Sequence, residues 1–152
     1  MHCGELDQGQ EGFTFITSRG TLDGAYPALI LAVNARRMGA KVSVFYTFMG
    51  IDVIRKGFAD KLKFYPQGPL GAVPGMPELA SALMKKKIDA ANIPNVAELI
   101  ETAQLEGVCL IACKMTMDML GLSPADLIAG VEVMNAEQYL KLARRCRINM
   151  FT

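Results

Sequence analysis

The run GVCLIACKMTMDMLG, residues 107–121, changes its pattern in the middle. Its first half is apolar and uncharged and follows a glycine, which is typical of a buried strand. After Cys113 the apolar residues Met115, Met119 and Leu122 fall three and four positions apart, which predicts a short helix. Cys113 is therefore expected at the carboxyl end of a strand and the amino end of a helix. In open α/β sheets this edge is where ligands bind.

Such a position favours the thiolate form of Cys113. The amino terminus of a helix stabilises an anion by roughly 0.3 to 1 kcal/mol, and by up to about 2 kcal/mol when the anion is partly buried. Lys114, the next residue, is a further candidate for lowering the pKa of the thiol. The thiolate is the nucleophilic form of cysteine. The alternative is that Cys113 is a small buried hydrophobe, as most cysteines in strand-like runs are.

The methionines beside Cys113 allow two interpretations. The chain has 10 methionines, and three of them alternate along the predicted helix, at Met115, Met117 and Met119. Flexible filling of the core is the ordinary role of such residues. A soft, polarizable pocket for a sulfur atom or for the tail of a carrier protein is the more specific hypothesis.

The first half of the chain predicts two strands and a helix. Residues 13–17 and 41–46 have the composition of strands. Between them, residues 23–38 have the apolar spacing of a helix, with Asp23 as the expected cap and Pro27 in the expected first turn. The loops after both strands are expected at the same sheet edge as Cys113.

The second half continues the alternation of strands and helices. Asn95 with Glu98, and Asn135 with Gln138, are capping patterns for two helices. The predicted helices are 76–87, 95–106, a short one from 123 and one up to 145, and the predicted strands are 130–134 and 147–152. The alternation indicates an α/β fold with three layers, in which a mainly parallel sheet has helices on both faces, in a flavodoxin-like or related arrangement. We expect one domain over residues 1–152, with residues 1–11 as a flexible tail.

Residues 57–75 interrupt this alternation. Three prolines and three glycines fall within residues 66–75, so a long surface loop is expected. Loops of this length in compact domains are often functional or mobile. A lid over Cys113 and an arm that contacts another subunit are equally good interpretations, and a plain variable loop is the third.

Composition and charge exclude several classes of protein. A hydrophobic fraction of 51% is high for a small domain and indicates buried subunit interfaces, hence a homo-oligomer. A net charge of +1 gives no electrostatic basis for binding nucleic acid or an anionic membrane. No segment has the roughly 18 consecutive apolar residues that a membrane span needs, and residues 1–11 lack the pattern of a signal peptide. We therefore expect a cytoplasmic protein.

The four cysteines, Cys3, Cys109, Cys113 and Cys146, form no C-x-x-C motif, so neither a metal site nor a disulfide framework is expected. Cys109 and Cys113 are separated by four residues of extended chain, or roughly 13 Å between Cα atoms. A disulfide requires less than about 7 Å. Nucleotide-binding glycine motifs are absent as well, and we expect no cofactor.

Residues 113–121 resemble the Ala-Cys-x-Met-Ser-Met-Asp-x-Met-Gly signature of the DsrE/DsrF-like sulfur-transfer family, in the branch often labelled peroxiredoxin-like. Three other stretches fit the same branch: Ser18 with residues 21–25, residues 45–50 and residues 92–99. The resemblance covers about residues 12–151. Lys114 and Thr116 depart from it, since many relatives have glutamine and serine there.

The resemblance implies a sulfur carrier that holds sulfane sulfur as a persulfide on Cys113. It also implies partners of the TusA or rhodanese kind as sulfur acceptors. Six residues are expected to line the site, three after Cys113 and three at neighbouring strand ends: Lys114, Met115, Thr116, Ser18, Arg19 and Phe48.

Two alternatives stay open. The chain could be a non-catalytic subunit that binds a small ligand or a partner, with Cys113 in a structural role. The family label also suggests a thiol peroxidase, which would need a resolving thiol. Neither Cys109 nor Cys146 is obviously placed for that role.

Overall fold

A computed structural model describes Cys3 and residues 11–152. The predicted flexible tail over residues 1–11 lies, except for Cys3 and Glu11, outside the described residues. The strands are β1 Gly12–Thr17, β2 Lys41–Tyr46, β3 Cys109–Cys113, β4 Glu132–Met134 and β5 Ile148–Phe151. The α-helices are α1 Leu22–Arg37, α2 Met76–Ala90, α3 Val96–Leu105, α4 Lys114–Leu120 and α5 Ala136–Ala143, and short 3-10 helices lie at Phe48–Ile54, Ala59–Lys61, Gly68–Ala72 and Pro124–Asp126.

The five described strands form one sheet in the order β4-β3-β2-β1-β5. Every pair of neighbours is parallel, so all the carboxyl ends lie at one edge of the sheet. This confirms the predicted α/β fold with a parallel sheet. The strand order departs from that of flavodoxin, so the sheet has the related arrangement rather than the flavodoxin order.

Alternation along the strands separates two apolar clusters, one on each face of the sheet. On the first face, side chains from α1 and α3 pack on strand residues that include Val44, Tyr46 and Leu110. On the second face, α5 packs on Phe45, Ile111 and Cys113. The sheet thus has helices on both faces, and Cys113 belongs to the face that α5 covers.

The beginning of α1 corrects one prediction. The cap is Thr21, whose hydroxyl oxygen accepts a hydrogen bond from the Gly24 N–H at 3.2 Å. Asp23, the expected cap, lies inside the helix and pairs with Arg19 instead. The helix begins at Leu22, so Pro27 lies beyond its first turn. Thr and Asp are both good caps, which is why the sequence pattern did not separate the two positions.

The other predicted elements are confirmed, with shifted ends. Both capping boxes form, with Asn95 and Glu98 at α3 and Asn135 and Gln138 at α5. Helix α2 ends three residues later than the predicted end at residue 87. No helix in the part of the chain that the structure describes is both long and apolar enough to cross a membrane.

Residues 57–75 contain two of the short 3-10 helices and are followed by α2. The chain just beyond Leu62 is fixed at two points. The Lys63 carbonyl accepts a hydrogen bond from the Leu22 N–H at 3.0 Å, and the Phe64 N–H donates to the Ser81 hydroxyl at 2.8 Å. This part of the loop therefore joins the beginning of α1 to α2.

Candidate functional site

Cys113 is the last residue of β3 and directly precedes α4. Its backbone is extended, with φ of −71° and ψ of 117°, and the next residue begins the helix. Its side chain lies on the face of the sheet that α5 covers, and the residue is 5% exposed. The strand end and the helix start therefore place the thiol where the sequence predicted, at the carboxyl edge and almost out of contact with water.

Thr116 organises the hydrogen bonds around this thiol. The residue is 1% exposed, and its hydroxyl oxygen accepts the Phe48 N–H at 2.9 Å. The same oxygen lies 3.3 Å from the hydroxyl oxygen of Thr47. Thr47 and Phe48 follow β2, so Thr116 connects the end of that strand to α4, next to Cys113.

Hydrogen bonds control the pKa of Cys113. Burial raises the pKa, because it disfavours the charged thiolate. Hydrogen bonding to the thiolate from the Thr116 N–H, the hydroxyls of Thr116 and Thr47 and the Met115 N–H lowers the pKa, and this effect outweighs that of burial. The pKa of Cys113 therefore lies below its usual value. This increases the thiolate fraction at neutral pH and with it the supply of nucleophile.

Lys114 forms an ion pair with Asp118, one turn along α4. Both side chains are more than half exposed. The residues that lower the pKa of Cys113 are hydrogen-bond donors, and Lys114 is not among them. The groups that lower the pKa of Cys113 belong to Thr116, Thr47 and Met115, whereas the Lys114 side chain pairs with Asp118.

The loop after β2 is built to approach β1. The Thr47 N–H donates to the Thr17 carbonyl and the Gly50 N–H to the Ser18 carbonyl, both at 3.0 Å. A Cβ atom at Gly50 would collide with the Thr17 carbonyl, so this position requires glycine. Phe48 has a φ of 46°, in the left-handed region that disfavours a bulky side chain. The loop is held in a strained conformation by these contacts and by Thr116.

Ser18 and Arg19 differ in whether their contacts connect them to the site. The Ser18 carbonyl accepts a hydrogen bond from Gly50, which lies with Phe48 in the loop after β2 (the Phe48 loop). The Arg19 side chain is 57% exposed and pairs with Asp23 at 3.4 Å. The described side-chain contact of Arg19 is thus with Asp23 in α1 and not with Cys113.

Exposed apolar side chains from the same two segments lie close to the site in sequence. Phe48 and Met49 are 51% and 47% exposed, and Met115 and Met119 are 65% and 56% exposed. Met117, between the last two, is 2% exposed. Met117 therefore fills the core, and Met115 and Met119 face solvent.

The opposite edge of the sheet carries a feature that the sequence did not predict. Cys3 and Cys109 form a disulfide with a Cα–Cα distance of 5.6 Å. The Cys3 N–H also donates to a carboxylate oxygen of Glu132 at 3.0 Å. The expectation of no disulfide was wrong for this pair, because 106 residues separate the two cysteines and no spacing pattern reports such a contact.

The donor atoms of Cys3, Cys109 and Glu132 lie within 4.8 Å of one another. This spacing would suit a metal ion if both sulfurs were reduced. In the structure the two sulfurs are bonded to each other.

The described strands form one parallel sheet, and Cys113, whose pKa is lowered, lies at its carboxyl edge. The sequence model of the DsrE/DsrF/DrsH-like family matches residues 9–151. The chain therefore belongs to this family, which confirms the resemblance described above.

Two relatives match along nearly their whole length. The chain is 33% identical over 158 aligned positions to the sulfur carrier protein DsrE2 of Allochromatium vinosum, with 93% of this chain and 98% of that protein covered. It is 34% identical over 155 positions to the uncharacterized protein YrkE of Bacillus subtilis, with 91% and 94% covered.

Solved structures show the same fold at lower identity. The ychN protein from E. coli has a TM-score of 0.61 and 15% identity, with 94% of this chain and 99% of that chain covered. The protein MTH1491 of Methanobacterium thermoautotrophicum has a TM-score of 0.51 and 17% identity, with 90% and 91% covered. These likenesses support the three-layer α/β architecture.

Proposed function

We propose that this chain is a sulfur carrier, in which Cys113 holds sulfane sulfur as a persulfide and passes it to the thiol of an acceptor protein. The observation that carries the proposal is the position of Cys113 between β3 and α4, where hydrogen bonding from Thr116, Thr47 and Met115 lowers its pKa. The name of the Allochromatium vinosum relative, a sulfur carrier protein, supports the same role.

Loading begins with attack of the Cys113 thiolate on the sulfane sulfur of a donor. A new S–S bond forms, the S–S bond of the donor breaks, and the rest of the donor leaves with the electron pair. With polysulfide the leaving group is a shorter polysulfide, and with thiosulfate it is sulfite. The hydrogen-bond donors that stabilise the Cys113 thiolate also stabilise the persulfide anion that forms from it.

Unloading reverses the roles of the two sulfurs. The acceptor thiolate attacks the outer sulfur of the persulfide, and Cys113 leaves as a thiolate. A thiol of low pKa leaves faster in such an exchange. The same hydrogen bonds from Thr116 and Thr47 therefore assist both loading and unloading.

The exposed side chains of Phe48, Met49, Met115 and Met119 support docking of a protein partner beside Cys113. We propose a partner of the TusA or rhodanese kind and a cytoplasmic location. Apolar side chains are also exposed at the edge strand β5, where Phe151 is 69% exposed. They support the proposal that the chain forms a homo-oligomer.

The test is intact mass after incubation with polysulfide or thiosulfate, followed by a reductant. We expect wild type and Cys146→Ala to gain one or more sulfur masses that the reductant removes, because both retain Cys113. Cys113→Ala should gain none. Equal loading of Cys113→Ala and wild type would overturn the assignment of Cys113.

The low exposure of Cys113, 5%, favours a second candidate, a subunit that binds a small ligand or a partner and in which this thiol is structural. The pH profile of alkylation separates the two. A carrier thiol reacts increasingly fast as pH rises through its lowered pKa, whereas a structural thiol reacts slowly at every pH.

A further inference from the structure

The amino edge of the sheet contains a cavity of about 330 Å³, which we call the amino-edge cavity. Its lining includes three of the four cysteines, two basic residues and one acidic residue: Cys3, Cys109, Cys146, Arg36, Lys41 and Glu132. Each water molecule in the liquid occupies about 30 Å³, so the cavity has room for roughly ten waters or for a small solvated ligand. The Cys3–Cys109 disulfide is thus part of a cavity wall.

The proposed cytoplasmic location indicates that this disulfide is reactive. Disulfides in reducing compartments are usually transient, catalytic or redox-sensing. This step rests on the cytoplasmic location proposed above. A pair that lines a cavity is also within reach of a small reagent, which a disulfide sealed in a core is not.

Cys146 is not the partner that opens the disulfide. Burial raises the pKa of its thiol, and its sulfur lies 3.6 Å from the Leu142 carbonyl oxygen, to which the S–H donates. The group is therefore a protonated thiol at neutral pH, and the thiol form is a poor nucleophile. A nucleophile that cleaves Cys3–Cys109 must enter from outside.

The charges in the cavity favour an anion. Arg36 donates to two backbone carbonyls, of Glu106 at 2.7 Å and of Ala40 at 3.1 Å. These partners carry no net charge, so they fix the guanidinium without neutralising it. Among the described residues of the lining, the charge of Arg36 is thus available to an anion. A small anion is therefore attracted to the wall that contains the disulfide.

We propose that the Cys3–Cys109 disulfide is a second sulfur-accepting site, whose substrate is hydrosulfide. The hydrosulfide sulfur attacks one cysteine sulfur and forms a new S–S bond, the Cys3–Cys109 bond breaks, and the other cysteine leaves with the electron pair as a thiolate, which then takes a proton. The sulfide is oxidised to the sulfane level and the disulfide is reduced, so no further oxidant or reductant is needed. The products are one cysteine persulfide and one thiol.

This reaction differs from loading of Cys113 in its requirements. Cys113 as a thiol needs a donor that already contains sulfane sulfur, whereas the disulfide accepts sulfur at the oxidation level of sulfide. The proposal does not require Cys113 to carry sulfur.

The test uses the full chain with the substitution Cys113→Ala, oxidised at Cys3–Cys109, and one equivalent of sodium sulfide without oxygen. The quenched protein is measured by intact mass and by peptide mapping. We expect a gain of one hydrogen sulfide mass, with the extra sulfur on a peptide that contains Cys3 or Cys109. No gain would overturn the proposal and would leave the role of Cys113 untouched.

Two controls separate a built site from ordinary disulfide chemistry. The double variant Cys3→Ser/Cys113→Ala has no such disulfide and should gain nothing, whereas Cys113→Ala/Cys146→Ser should gain as much as Cys113→Ala. The rate of cleavage should exceed that of oxidised glutathione by about tenfold or more, because the Arg36 guanidinium attracts the anion. An equal or lower rate, or a gain in the double variant that lacks Cys3, would overturn the proposal.

Discussion

Strand β3 has a cysteine at each end, and the two cysteines have different chemical surroundings. Cys109 and Cys113 lie on the same strand and on the same face of the sheet, four residues apart. At the carboxyl end, the chain turns into α4 and directs N–H and O–H groups at the sulfur of Cys113. At the amino end, the sulfur of Cys109 meets Cys3. The reactivity of a cysteine in a strand is therefore decided by the groups beyond the strand end.

The largest expected effect concerns stability at the amino end. Replacing Cys3 by Ser removes a disulfide that closes a loop of about one hundred residues, and such a loss typically costs about 2 to 4 kcal/mol of unfolding free energy. For a chain of this size that corresponds to a fall in Tm of roughly 4 to 16 °C. Thermal unfolding of the oxidised proteins measures it.

The matched control is Cys146→Ser, which changes a free thiol in the same cavity and should lower Tm far less. The alkylation profile of Cys113 should be the same in Cys3→Ser and wild type. A changed profile would show that the two ends of β3 are coupled, and the comparison between them would fail.

The next effect concerns reactivity at the carboxyl end. Thr116→Val removes a hydroxyl hydrogen bond to the thiolate, and a hydrogen bond to a charged group contributes about 1.5 to 3 kcal/mol. The variant should therefore react roughly ten- to a hundredfold more slowly with iodoacetamide at neutral pH. Thr116→Ser keeps the hydroxyl and should stay near the wild-type rate.

The pH dependence has a definite sign. Because hydrogen bonds lower the pKa of Cys113 in the folded protein, its thiolate stabilises the fold above the unfolded-state pKa. This contribution is lost as pH falls through the folded-state pKa. In Thr116→Val, both the alkylation of Cys113 and the stabilisation by its thiolate should begin at higher pH. Alkylation rates and denaturant unfolding across pH measure the two effects. An unshifted alkylation profile would show that Thr116 does not lower the pKa of Cys113.

A third prediction tests whether the other face of the sheet is independent of both ends. The Tyr46 hydroxyl is fully buried and has no hydrogen-bond partner among the described residues, and burial raises the pKa of this side chain. A buried polar group without a partner costs about 1 to 3 kcal/mol, so Tyr46→Phe should stabilise the protein by about that amount.

Denaturant unfolding checks this, with Tyr139→Phe as the matched control. The Tyr139 hydroxyl is hydrogen-bonded to Thr14 at 3.1 Å, so its removal should destabilise by about 0.5 to 1.5 kcal/mol. Destabilisation by Tyr46→Phe would mean that its hydroxyl has a partner after all. Neither change should alter the alkylation rate of Cys113.

The smallest effect is expected at Lys114. An exposed ion pair on a helix contributes about 0.3 to 0.5 kcal/mol. Since Lys114 pairs with Asp118, Lys114→Gln should change stability by no more than this and should leave alkylation of Cys113 within about twofold. A large fall in the alkylation rate, absent from Asp118→Asn, would restore Lys114 as the cation that supports the thiolate.

Much of the fold was predictable from local patterns. The capping boxes at Asn95 and Asn135 and the strand composition of residues 13–17 and 41–46 were confirmed, because each depends on residues near in sequence. The cap of α1 was misplaced by two residues because Thr21 and Asp23 are equally suitable. At the site, Cys113 and Phe48 were placed at one sheet edge from the order of strands alone.

The partners of those residues were not predictable in the same way. Thr47, whose hydroxyl contributes to the lowered pKa of Cys113, follows another strand and was not among the expected site residues. Sequence proximity favoured Lys114, whose charge the structure pairs with Asp118. Parallel strands bring their ends together, but which hydroxyl reaches which sulfur depends on the conformation of the Phe48 loop.

The sequence by itself determined the alternation of strands and helices, the family and the position of Cys113 between β3 and α4, because all of these are written in neighbouring residues. Only the tertiary structure decided which groups surround each sulfur. It brought Thr47 and Thr116 to Cys113, and it brought Cys3 to Cys109 across 106 residues. The reason is physical, since hydrogen bonds and disulfides depend on distances of a few ångströms in space, which separation along the chain does not report.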